Sequence, residues 1–166
     1  PKGASLALGR IGAARRRLLR TRGLLAIRIP APPPKGDGHF TWHSDPPDVV
    51  RPDVKWYLDG SVMQGTWYEL SSAGFAIVVV ADDGSLIAYG NGVPPPWGDA
   101  AGMAEAWALR TALGMCPSAP RRITDCKSLL VTATGGLSRA VAADRPLARV
   151  WSSIAACVDG KIEILG

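Results

Sequence analysis

Cysteine is scarce and poorly placed. The three cysteines, Cys116, Cys126 and Cys157, are odd in number and far apart, with no Cys-x-x-Cys pair. This argues against a disulfide framework or a thiolate zinc site, and it fits a reducing compartment such as cytoplasm or nucleus. Histidine is scarcer still. His39 and His43 stand four apart around Trp42, but Pro46-Pro47 follows at once and removes the helix that would turn this spacing into a metal pair. No run of eighteen uncharged apolar residues occurs, so no membrane partner is expected through a spanning helix. Acids are missing altogether from residues 1–36, which carry nine Lys and Arg.

The chain has 166 residues, 47% of them apolar, enough for one globular domain with a real core. The formal charge of +5 is unevenly spread: residues 37–166 hold ten Lys and Arg against fourteen acids. The basic character therefore belongs to the N-terminal arm, and total charge does not argue for a nucleic-acid-binding face on the rest. Residues 5–29 mix Leu, Ile and Ala with Arg, as a basic amphipathic helix would. Such an arm suits nucleic-acid contact, a transit peptide, the tail of an upstream domain, or a plain solvated tail. The first residue is Pro1, not Met, as expected of a fragment or a processed form.

Pro32-Pro33-Pro34 centres a linker, so residues 1–38 read as basic arm and Pro-rich linker, 39–52 as a boundary segment and 53–166 as the folded domain. Val54, Trp56 and Leu58 alternate with Lys55, Tyr57 and Asp59, which predicts a strand over about 53–59. Gly60-Ser61 is expected to break it, opening a turn-like stretch to Ser72. Residues 73–81 predict a strand buried on both faces, and Asp82-Asp83-Gly84-Ser85 a hairpin turn into a strand over 86–90. Asp99 suits the N-cap of an almost wholly apolar helix over 100–115. A short strand over 121–125, a helix from Cys126 to the Gly135-Gly136 break, a helix over 147–158 and a strand from Lys161 complete the order.

Three acids hold unusual places in this order. Asp59 ends the first strand, Asp125 ends the fourth, and Glu105 is the one acid in an apolar helix. Each has an ordinary explanation: a turn residue, an N-cap, and a partner for Arg110 or solvent. A carboxylate in such a helix is nevertheless costly unless it is paired or metal-bound.

Tyr57-Leu58-Asp59-Gly60-Ser61, Ala104-Glu105-Ala106-Trp107-Ala108-Leu109 and Ile123-Thr124-Asp125-Cys126-Lys127-Ser128 resemble, in order and spacing, the successive motifs of ribonuclease H. The style is that of retroelement polyprotein domains, and the match covers about residues 53–166. The resemblance implies an α/β fold with a mixed five-stranded sheet and helices on both faces. It implies that Asp59, Glu105 and Asp125 are catalytic and hold two Mg²⁺ or Mn²⁺ ions, which suit hard oxygen ligands. It implies hydrolysis of the RNA strand of an RNA–DNA hybrid, with Gly60 and Ser61 near the substrate and a reverse transcriptase fused upstream. The family also carries a fourth carboxylate and a mobile His after the fifth strand. No position here aligns with either, so the domain is expected to be incomplete at its C-terminus. The competing expectation is a non-catalytic module of the same fold, serving as scaffold or nucleic-acid binder.

Overall fold

The computed structural model describes residues 12–14, 17, 37–47, 53–63, 71–98, 100–116 and 121–158. The chain divides into two units, 1–32 and 33–166. The first coincides with most of the basic arm, whose expected helix lies almost wholly outside the described residues. Residues 30–36 of the expected linker, which runs to Gly38, and the strand from Lys161 also lie outside them.

The second unit is built on a five-stranded sheet. The strands are β1 (Phe40–Trp42), β2 (Val54–Met63), β3 (Ser72–Ala81), β4 (Leu86–Gly92) and β5 (Arg121–Ile123), in the order β1-β4-β3-β2-β5. β2, β3 and β4 form an antiparallel meander, and β5 returns parallel to β2. The helices are α1 (Ala101–Met115), α2 (Lys127–Thr134), the short α3 (Leu137–Ala140) and α4 (Ala148–Val158). The mixed five-stranded α/β sheet is as expected, but the helices expected on both of its faces gather, among the described residues, on one.

Alternation decides which face of the sheet is core. Val54, Trp56 and Leu58 of β2, with Phe75, Ile77 and Val79 of β3, are buried against Ala108 and Ala112 of α1. The other side of α1 supplies Met103, Ala106 and Leu113 to a second cluster with Leu129 of α2 and Val150, Trp151, Ile154 and Val158 of α4. Small residues toward the sheet and larger ones toward α4 let one helix serve two cores. The Asp83-Gly84 hairpin forms as expected: Gly84 has φ +87, and the Asp83 carboxylate accepts from the Ser85 N–H and hydroxyl at 2.9 and 2.7 Å.

Several expectations need correction. Gly60-Ser61 does not break the strand. β2 continues to Met63, with Ser61, Val62 and Met63 paired to Gly74, Ala73 and Ser72. β3 alternates instead of burying both faces, because the described helices gather on one side of the sheet. Ala76, Val78 and Val80 are only half-buried, and on the same open face Tyr57 and Tyr89 are 41% and 44% exposed. The boundary segment is part of the fold. β1 pairs antiparallel with β4, Phe40 stacks on Phe75 and Trp42 meets Trp56 edge-on. Helix α1 is capped by the backbone of Ala100; Asp99 lies outside the described residues.

Candidate metal centre

Asp59 projects from β2, Glu105 from the first half of α1 and Asp125 from the connection between β5 and α2. One carboxylate oxygen of each lies within 4.8 Å of the others. Among the described residues no other group of His, Cys, Asp or Glu meets this condition. The two histidines take other partners: His39 bonds Asp37, and His43 Nε2 lies 2.5 Å from Asn91 Oδ1.

The parallel pairing of β5 with β2 explains how acids 66 positions apart become neighbours. Tyr57 stands opposite Ile123, so both chains leave the pairing in the same direction and reach Asp59 and Asp125 two residues later. Bringing Glu105 to the same place is harder, since Asp59 faces away from the helix side of the sheet. Gly60 solves this. A Cβ on Gly60 would stand 2.3 Å from the Glu105 backbone N and 2.6 Å from the Ala104 carbonyl carbon. Helix backbone therefore occupies the space a side chain would need, and Gly60 is a packing residue rather than a turn residue. Its N–H also bonds the Glu105 carboxylate.

Glu105 is 7% exposed, whereas Asp59 and Asp125 are open to solvent. Burial raises the Glu105 pKa above its ordinary value, and the negative charges of Asp59 and Asp125 raise it further. The Gly60 N–H and the Thr124 hydroxyl act the other way. Arg110, one partner the sequence offers, is turned elsewhere: its Nε donates to Ser153 Oγ at 3.1 Å, and its guanidinium lies over Trp107. Asp125 is not the N-cap of α2, a place taken by Cys126 without a side-chain capping bond.

The donor set consists of hard oxygens, one buried and two exposed. It fits a divalent cation such as Mg²⁺ or Mn²⁺ and suits soft metals poorly. A cation would offset the repulsion that raises the Glu105 pKa. Sequence reasoning missed Thr124, whose hydroxyl lies 3.4 Å from Glu105 Oε2. The available signal was a hydroxyl residue at a strand end, two positions before a helix N-cap.

The antiparallel meander, the helix crossing back over it and the parallel strand beside the first long strand make a mixed α/β fold, with Asp59 inside β2 and Asp125 just beyond β5. No protein-family model matches the chain, and no curated protein matches it. Among solved structures, the protease-reverse transcriptase of prototype foamy virus is similar at a TM-score of 0.49 and 22% identity, covering 73% of this chain and 18% of that one.

Proposed function

We propose that this domain is a metal-dependent nuclease of the ribonuclease H type that hydrolyses the RNA strand of an RNA–DNA hybrid. The observation that carries the reading is the convergence of Asp59, Glu105 and Asp125 from three separate elements onto one point. Asp59, Glu105 and Asp125 would hold the metal. When bound, Mg²⁺ or Mn²⁺ supplies an activated water and charge stabilisation at the scissile phosphate.

The residues divide the remaining work. Asp59 and Asp125, both exposed, can reach a ligand arriving from solvent. Glu105 is held from behind by the Gly60 N–H and the Thr124 hydroxyl, which limits its movement. Ser61 is exposed two residues beyond Asp59 on the same face of β2, where it can meet the substrate backbone. Gly60 admits the helix, and its backbone together with Ser61 is the proposed contact to the substrate. Preference for a hybrid would come from 2′-hydroxyl and shape contacts in the minor groove. The three sequence motifs support a retroelement setting with a reverse transcriptase upstream.

The test is cleavage of an end-labelled RNA–DNA hybrid in Mg²⁺ or Mn²⁺ by the wild-type chain and by Asp59→Asn. The variant keeps the shape of an exposed side chain, so it should fold normally and lose cleavage. Equal cleavage by both would remove Asp59 from the site. If neither cleaves while both bind the hybrid, the same assay on a C-terminally extended chain decides between an incomplete domain, which then cleaves, and the non-catalytic reading, which does not.

A further inference from the structure

Glu105 is tied to both of its acidic neighbours through the residues beside them. The N–H of Gly60, next to Asp59, bonds its carboxylate. Thr124, next to Asp125, donates its hydroxyl to Oε2 at 3.4 Å. The same Thr124 oxygen accepts the Cys126 N–H at 3.1 Å. Asp125 thus sits inside a small turn closed by Thr124, while the hydroxyl proton points toward α1. One half-buried hydroxyl links two of the three ligand-bearing segments.

We propose that Thr124 is a positioning residue for the metal centre, fixing the Glu105 carboxylate and the Asp125 backbone relative to each other. This rests on the metal-centre reading above. A hydroxyl suits the role because it accepts from Cys126 and donates to Glu105 at the same time. Valine matches its shape but can do neither. Partners behind metal ligands typically change affinity by about 10–100-fold when removed.

The experiment is Mn²⁺ binding to the full chain, followed by the electron paramagnetic resonance of free Mn²⁺, for wild type, Asp59→Asn, Thr124→Val, Thr124→Ala and Thr124→Ser. Thr124→Val should weaken binding at least about tenfold, with a metal-free melting curve close to wild type. Thr124→Ser should restore most of the affinity, because serine keeps the hydroxyl; a purely steric role would not give this rescue. Thr124→Ala removes the same hydroxyl without adding bulk, and it serves in place of valine if valine disturbs folding. If Asp59→Asn loses Mn²⁺ while Thr124→Val and Thr124→Ala bind like wild type, Thr124 has no positioning role and the metal centre stands. If Thr124→Ser is as weak as Thr124→Val, the hydroxyl is not the cause and the proposal fails. If wild type binds no Mn²⁺, the metal centre falls and the positioning role falls with it.

Discussion

Replacing Gly60 by alanine separates two roles for this residue by the sign of the effect. Gly60 is not among the glycines with positive φ, so its backbone conformation is one alanine adopts freely. At such a site without close neighbours, Gly→Ala should stabilise by about 0.4–1 kcal/mol, through the unfolded chain. At Gly60 the added Cβ would meet three backbone atoms of α1 within 2.9 Å, the nearest at 2.3 Å. None is the free end of a side chain, so strand and helix must separate by about 1 Å to regain normal contact. Overpacking of this kind costs about 1–3 kcal/mol, and an immovable helix backbone puts Gly60→Ala at the upper end. For a domain of this size that is a fall in Tm of roughly 10 °C. The same displacement moves Glu105 away from Asp59, and a misplacement of about 1 Å can cost ~10²-fold in activity. Thermal unfolding by circular dichroism without metal measures the first effect, and hybrid cleavage measures the second. Gly84→Ala is the control. It has φ +87 and nothing within 4 Å of its Cβ, so it should lose about 1 kcal/mol from backbone strain and leave the site intact. A Gly60→Ala chain that melts at or above the wild-type temperature would refute the close-packing account.

Two further outcomes follow from charge. The folded-state pKa of Glu105 is raised, so the folded chain holds this proton more tightly than the unfolded chain does. Metal-free wild type should therefore gain stability as pH falls through the folded Glu105 pKa toward the ordinary value of 4.5, and lose it again on raising the pH. Glu105→Gln should melt higher than wild type at neutral pH without metal, lose that advantage near pH 4, and fail to bind Mn²⁺; matched melting curves at all pH values would contradict the pKa shift. Deleting residues 1–36 removes nine cationic side chains and no acids. If the arm contacts nucleic acid, hybrid binding should weaken and the slope of log Kd against log salt should flatten, whereas an unchanged slope in a filter-binding titration would exclude the contact.

The three acids were legible because each stands out locally: Asp59 precedes Gly-Ser in an alternating run, Asp125 follows a short strand, and Glu105 interrupts an apolar helix. Their convergence was not legible from spacing alone. It depends on β5 returning parallel beside β2, which the sequence supports only through the helix between them. Gly60 was misread because glycine marks both a strand break and a close approach, and only the neighbours tell which applies. The same ambiguity hid β1. Phe40-Thr41-Trp42 is too short to display alternation, yet its signal was present in Gly90 and Gly92 of β4. A Cβ at Gly90 would collide with Phe40 and one at Gly92 with Phe75 and the His39 carbonyl. Those glycines make room for β1 and the rings it brings. The half-exposure of β3 could not be read from an almost continuous apolar run, because such a run is equally consistent with one covered face or two.

Glu105 gives the strongest physical reason to read the acidic cluster as a site. Folding alone opposes its arrangement. A carboxylate is taken to 7% exposure on a helix built mostly from apolar residues, with two more carboxylates within 4.8 Å. Among the described residues no cation pairs with it, and the nearby Arg110 is committed to Ser153 and Trp107. The bonds it does receive, from the Gly60 N–H and the Thr124 hydroxyl, hold it toward Asp59 and Asp125. A structural acid would gain by turning the opposite way, toward Arg110 or solvent. Gly60 has even surrendered its side chain so that the helix carrying Glu105 can come closer. The burial of Glu105 and its closeness to two like charges are costly on their own, and a divalent cation shared by the three carboxylates would offset that repulsion.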